Sequence, residues 1–170
     1  MDLKRCIRDV PDFPRKGIMF RDITPLLENP VAFYEVIKRF AEHWHGAIDA
    51  IAALDARGFI FGGALAIELG APLVLVRKKG KLPRTTVSVS YGLEYGSDVL
   101  EIHADSLAHG ARVLVLDDLL ATGGTAQAAC SLIKELDAHV AGCAFVVELA
   151  RLGGRAVLAD YDIQTLVRYE

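Results

Sequence analysis

Two adjacent carboxylates, Asp117 and Asp118, are followed after two apolar residues by Ala121-Thr122-Gly123-Gly124-Thr125. Residue types in this order suit a phosphorylated polyol. The glycines let a backbone approach an oxyanion closely, the threonine hydroxyls add donors, and paired carboxylates accept from adjacent hydroxyl groups or hold a cation. The segment lacks the lysine of a GxxxxGK[ST] loop and is not GxGxxG. A second candidate is the turn Asp55-Ala56-Arg57-Gly58, whose guanidinium suits a phosphate or pyrophosphate. A third is Arg77-Lys78-Lys79-Gly80-Lys81, a basic run able to draw a polyphosphate toward a site. Taken singly, each has an ordinary counterpart: a Gly-Gly turn that binds nothing, a local salt bridge, a solvated loop.

The elements that must position these residues are legible around them. Val113-Leu114-Val115-Leu116 is too short for a helix and apolar on both faces, which predicts a buried parallel strand ending at the two carboxylates. Ala126 to Leu136 then reads as a helix. Its unpaired first N–H groups and positive dipole end would complete an anion cradle. Ile48 to Leu69 repeats the pattern: a strand, the Asp55–Gly58 turn and a helix, with Gly70 as C-cap. Leu73–Val76 is another apolar strand, running out into the basic run. Asp98–Ala104 reads as a short strand, Val140–Leu149 as a buried one and Gln164–Tyr169 as an edge strand. This alternation predicts one α/β domain over residues 1–170: a twisted, mainly parallel sheet with helices on both faces and ligands at the carboxyl ends of the strands.

Asn29-Pro30 signals a helix start, and Phe33, Val36, Ile37, Phe40, Ala41 and Trp44 define its buried face. His43 and His45, two apart on that helix, cannot form a metal pair. Residues 79–96 alternate Thr, Val, Ser and Tyr at period two, as in a β-ribbon or a flap bounded by Gly80 and Gly96. Glu94 and Tyr95 there could fold over a ligand, or Glu94 could be a solvated ribbon residue. In residues 1–28, Pro11, Pro14, Gly17 and Pro25 predict an irregular cover. Its apolar residues Phe13, Ile18, Met19, Phe20 and Ile23 must lie on something, so the cover could close a pocket.

Composition narrows the class. The chain has 170 residues, 52% hydrophobic and 24% charged, with a net charge of −3. With a pI near 5.9, no nucleic-acid surface of the ordinary basic kind is expected. Cys6, Cys130 and Cys143 are odd in number and widely spaced, which indicates neither a disulfide framework nor a zinc site. With no apolar leader in MDLKRCIRDV and no membrane-length apolar run, a cytoplasmic protein is expected.

The segment VLVLDDLLATGGT at 113–125 resembles the phosphoribosyl pyrophosphate (PRPP) motif of the type I phosphoribosyltransferases. DFPRKGIMFRDITPLL at 12–27 and SYGLEYG at 90–96 narrow the resemblance to the adenine branch of that family. ALDARGFIFG at 53–62, VRKKGKLP at 76–83 and VELARLGGR at 147–155 fit it too; Gly92 departs from it, since the family more often has a larger residue there.

The resemblance implies that adenine and PRPP give AMP and pyrophosphate, with Mg²⁺ carried on PRPP. It implies that Ala121, Thr122, Gly123, Gly124 and Thr125 hold the 5-phosphate, and Asp117 and Asp118 the ribose hydroxyls. Ala56, Arg57 and Gly58 would contact pyrophosphate, with Arg77 and Lys78 also on PRPP. Glu94 would sit over the reacting centre. Met19, Phe20 and Arg21 would form the adenine pocket, closed by Leu149. A homodimer is implied, with the basic segment near Arg77 close to the neighbour's site. Another base would keep the PRPP motif and change the cover; a non-catalytic PRPP-sensing regulator would need a nucleic-acid-binding extension or basic face.

Overall fold

Residues 1–93 and 96–170 are described by a computed structural model, in which the polypeptide divides into two units, Met1–Arg39 and Phe40–Glu170. In the first unit a 3₁₀ turn, Leu3–Cys6, precedes strands β1 (Arg8–Pro11) and β2 (Met19–Asp22). These pair antiparallel, from Arg8↔Asp22 to Pro11↔Met19, as a two-stranded ribbon. The expectation of an irregular segment is corrected here. Pro11 is tolerated because it ends a strand with only one neighbour. The backbone reverses through Asp12 at φ 59 and Gly17 at φ 88, and the Gly17 N–H donates to the Asp12 carboxylate at 2.6 Å. Pro25 lies in the first turn of helix α1 (Thr24–Glu28), where its missing N–H costs nothing.

Of the apolar residues expected to be packed, Ile23 is buried, but Phe13, Ile18 and Met19 remain 51%, 45% and 45% exposed. Two short strands offer too little surface to cover both faces of their ribbon. The Phe13 ring meets Phe20 edge-on, with centroids 5.1 Å apart. Helix α2 (Pro30–Trp44) follows, its first turn capped by Asn29 Oδ1, which accepts from the N–H groups of Val31 and Ala32 at 3.1 Å. Val36, Ile37, Phe40 and Trp44 are buried, as their spacing requires.

The second unit contains β3 (Ala50–Leu54), α3 (Gly58–Leu69), β4 (Leu73–Lys78), β5 (Thr86–Leu93), β6 (Gly96–His103) and β7 (Arg112–Leu120). Helix α4 (Gly124–Glu135), β8 (His139–Leu149), α5 (Gly154–Val157) and β9 (Ile163–Tyr169) complete it. The seven-stranded sheet has the order β5-β6-β4-β3-β7-β8-β9. Strands β4, β3, β7, β8 and β9 are parallel, and β6 and β5 extend the β4 edge antiparallel. The segment expected as a ribbon or flap is thus a hairpin, paired from Thr86↔His103 to Leu93↔Gly96. Glu94 and Tyr95 lie outside the described residues.

The connection from β3 leads to β4 on one side, and that from β7 leads to β8 on the other, so the direction of winding reverses between β3 and β7. Ala50, Ala52, Leu54, Val113 and Val115 pack with the α4 residues Ala126, Ala129 and Ile133. Alternate residues face α3: a Cβ on Gly62 would meet Ala53 and Leu73. Helices therefore cover both faces, which is why β3 and the first half of β7 are apolar throughout. Cys130 and Cys143, distant in sequence, bring their Sγ atoms to 3.8 Å in this core as free thiols. No helix among the described residues is long and apolar enough to cross a membrane.

Candidate active site

A reversal of winding opens a crevice at the carboxyl ends of the two strands that flank it. At this point β7 differs from its sequence reading. The strand does not end at the carboxylates: it continues to Leu120, held by pairing of Asp117, Leu119 and Leu120 to Phe145, Val147 and Glu148 of β8. On the other side, pairing to β3 stops at Leu116. The apolar pattern fades at Leu116 because one neighbour is lost there, while the backbone ladder to β8 runs on. Asp117 and Asp118 thus occupy the place where β7 has a free flank.

That flank faces the Asp55–Gly58 turn, which contains a cis peptide between Asp55 and Ala56. Arg57 Nε donates to Asp118 Oδ2 at 2.5 Å, and the Asp118 side chain is only 7% exposed. Gly58 permits the approach of α3, since a Cβ there would lie 2.8 Å from Leu116 O and 3.1 Å from Asp117 Oδ1. Asp117 Oδ1 accepts from the Asp118 N–H at 2.8 Å. Burial, and then repulsion from Asp118, push the Asp117 carboxyl well above the usual carboxylate range.

Above the carboxylates, Ala121 to Gly123 turn the backbone into α4. Gly123 adopts φ 84, and its carbonyl accepts the Gln127 N–H at 2.9 Å. The N–H groups of Gly124, Thr125 and Ala126 belong to the first turn and point out of the helix end. A cavity of about 200 Å³ lies there, lined by Arg57, Asp117, Asp118, Ala121, Thr122, Gly123 and Thr125, with Leu119, Leu120, Ala126 and Phe145. One wall offers amide donors at a positive helix end, and the other offers carboxylate acceptors and a guanidinium. Such a cavity can hold a sugar phosphate by its anion and its hydroxyls at once.

The basic run is partly consumed within the protein. Arg77 Nε donates to Asp55 Oδ2 at 2.9 Å, and Lys78 Nζ pairs with Asp98 Oδ2 at 3.0 Å. Both cations end β4, parallel to β3, so they lie on the same rim of the sheet as Arg57. Met19, Phe20 and Arg21 are all in β2 of the first unit, where Arg21 pairs with Asp9. Leu149 ends β8 in the second unit and is partly exposed. Among the described residues, no group of three or more His, Cys, Asp or Glu side chains is placed to hold a metal ion.

Two supports of the cradle escaped sequence reasoning. A Cβ on Gly123 would lie 2.8 Å from Gly154 O, and one on Gly154 would lie 3.0 Å from Gly123 N; the Gly154 N–H donates to Ala121 O at 3.1 Å. Two glycine backbones are therefore in direct contact beneath the cradle. Helix α5, which carries Gly154, is fixed by Arg155, whose Nε and Nη2 reach the two oxygens of buried Glu148 at 2.9 and 2.7 Å. Thr165 Oγ1 donates to the same carboxylate at 2.9 Å. The bond to Arg155 first, and then that to Thr165, hold the Glu148 carboxyl below its ordinary range. In the sequence, Glu148, Gly154 and Arg155 stood out only as part of VELARLGGR at 147–155, without a role.

Comparison with known proteins gives the same picture. Residues 24–167 match the family described as phosphoribosyl transferase domain. The adenine phosphoribosyltransferase of Thermotoga maritima is 53% identical over 170 residues, covering 99% of this chain and 98% of that protein. The crystal structure of adenine phosphoribosyltransferase from Thermoanaerobacter pseudethanolicus superposes with a TM-score of 0.94 at 49% identity, covering 98% of each protein. That of the Saccharomyces cerevisiae enzyme, complexed with an imino-altritol bisphosphate and adenine, gives 0.92 at 41% identity over 96% of each. With the family match running from α1 to β9 and the relatives aligned end to end, the chain belongs to the adenine phosphoribosyltransferases of the phosphoribosyl transferase domain family.

Proposed function

We propose that the protein transfers the phosphoribosyl group of PRPP to adenine, giving AMP and pyrophosphate in purine salvage. The observation that carries this reading is the single cavity where the α4 N-terminus, the Asp117–Asp118 pair and Arg57 converge between β3 and β7. The first-turn amides of α4, with Thr122 and Thr125, bind the 5-phosphate; Asp117 and Asp118 accept from the ribose hydroxyls. Arg57, beside Ala56 and Gly58, binds the pyrophosphate together with Arg77 and Lys78. Mg²⁺ would arrive with PRPP as part of the substrate and would offset charge on the leaving pyrophosphate.

A bond forms between adenine N9 and the anomeric carbon as the bond from that carbon to a pyrophosphate oxygen breaks; the pyrophosphate leaves with that electron pair and takes up the proton lost from N9. Positive charge grows on the sugar as pyrophosphate departs, and the two carboxylates stabilise it. Glu94, outside the described residues, is assigned to the reacting centre on the resemblance alone. For the base, β2 has one neighbouring strand, so part of its backbone donors and acceptors is left for a ligand. Exposed Phe13 and Met19 beside that edge supply apolar surface for a ring; Leu149 is assigned to the base on the resemblance alone. Helix α3 exposes Ile60 and Ile67, and β4 exposes Leu73 and Leu75, which supports a homodimer formed through this apolar face.

The test is nucleotide formation from PRPP, Mg²⁺ and each purine base. A backbone carbonyl and a backbone N–H that read the 6-amino group and N1 of adenine meet reversed groups in hypoxanthine. Two buried mismatches at about 1–3 kcal/mol each predict discrimination of about 10² to 10⁴ in kcat/KM. Comparable rates with hypoxanthine would overturn the base assignment, and no nucleotide from any base would overturn the reaction.

A further inference from the structure

Asp98 belongs to no part of the proposed substrate site, yet it joins the hairpin to a cation of that site. It lies on β6, directly across from Tyr91 of β5. Its carboxylate takes the Lys78 ammonium at 3.0 Å and also accepts the Val99 N–H at 2.9 Å. The Tyr91 ring reaches the cradle in turn: a Cβ on Gly124, the first residue of α4, would lie 3.8 Å from Tyr91 Cδ2 and 3.8 Å from Gly92 O. One carboxylate therefore ties the cationic end of β4 to the hairpin at the position paired with Tyr91, the residue beside the phosphate cradle.

We propose that Asp98 is a stand-in anion, a positioning residue that holds Lys78 against the hairpin until the polyphosphate of the substrate displaces it. This rests on the reading of Lys78 as a PRPP-binding residue. The Lys78 side chain is 60% exposed and its partner 25%, so the pair is within reach of an incoming ligand. An ion pair of this exposure is weak enough to exchange, and the pyrophosphate of PRPP, with more charge and more acceptor oxygens, is the stronger partner. Displacement frees Asp98 from Lys78, so binding at the rim reaches the hairpin at the residue paired with Tyr91, beside the cradle. Arg77 with Asp55 and Arg57 with Asp118 repeat the arrangement, so each of the three cations faces its own carboxylate before substrate arrives.

The experiment is a double-mutant cycle. Asp98→Asn, with Asp98→Ser as a second variant should the first fail to fold, removes the competing charge. KM for PRPP and the Kd of inorganic pyrophosphate with Mg²⁺ should each fall about two- to fivefold, the range of an exposed ion pair, while KM for adenine stays unchanged. In a Lys78→Met background the same replacement should change neither constant. A PRPP KM that is unchanged or raised in folded Asp98 variants would overturn the proposal while leaving the site assignment standing. A Lys78→Met enzyme with unaltered PRPP KM would instead overturn the assignment of Lys78, and the proposal with it.

Discussion

Gly154→Ala separates the geometry of the phosphate cradle from the stability of the fold. Gly154 is the first residue of the four-residue α5, so helix propensity changes little on this replacement. The alanine Cβ, however, would overlap the carbonyl oxygen of Ala121 and lie 2.8 Å from Leu120 Cδ1 and 3.0 Å from Gly123 N. Opening the Leu120 contact from 2.8 Å to an ordinary 3.4 Å takes about 0.6 Å, and the Ala121 oxygen must retreat further. That oxygen belongs to the cradle, so the displacement moves the amides that hold the phosphate. Overpacking of this kind costs about 1–3 kcal/mol. Misplacement approaching 1 Å at a binding group costs about 10²-fold in rate.

Gly153→Ala is the control. A Cβ there meets nothing within 4 Å, but φ is +74, so the expected effect is backbone strain of about 1–2 kcal/mol without a change at the cavity. Steady-state kinetics in PRPP and thermal melts of both variants decide the matter. We expect Gly154→Ala to lose about 10² in kcat/KM for PRPP with a modest change in Tm, and Gly153→Ala to lose Tm with kcat/KM intact. A Gly154→Ala enzyme with the parent kcat/KM would refute the argument that the glycine contact shapes the cradle.

Asp117→Asn should lower kcat/KM for PRPP while stabilising the fold at neutral pH. The raised carboxyl means that the native state binds more protons than the unfolded one above about pH 4, so its penalty grows as pH rises through that window. Removing it should raise Tm at pH 7, with the advantage vanishing below about pH 4; melts across pH that show the parent protein equally stable throughout would contradict this. A sedimentation mass equal to the 18.4 kDa of one protomer at micromolar concentration would exclude the dimer, whereas charged replacements of Ile67 and Leu75 should dissociate it.

The cradle was readable in the sequence because it is local. Strand, carboxylates, glycine turn and helix start follow one another from Val113 to Ala126, and each is dictated by neighbours a few residues away: apolar alternation, φ freedom at Gly123, unpaired first-turn amides. The Asp55–Gly58 turn and the Asn29 cap were legible for the same reason. The length of β7 was not, because its last residues are held by backbone bonds to β8 that leave no mark in side-chain pattern. The ribbon in residues 8–22 was obscured by prolines whose harm depends on whether a neighbouring strand asks for their N–H. What only the tertiary structure decided are contacts between distant segments: Gly123 on Gly154, Arg57 on Asp118, Lys78 on Asp98, Cys130 beside Cys143. Sequence determines which residue types are available and how each stretch bends; which of them meet depends on strand order, and strand order follows from the packing of two helices on opposite faces of one sheet.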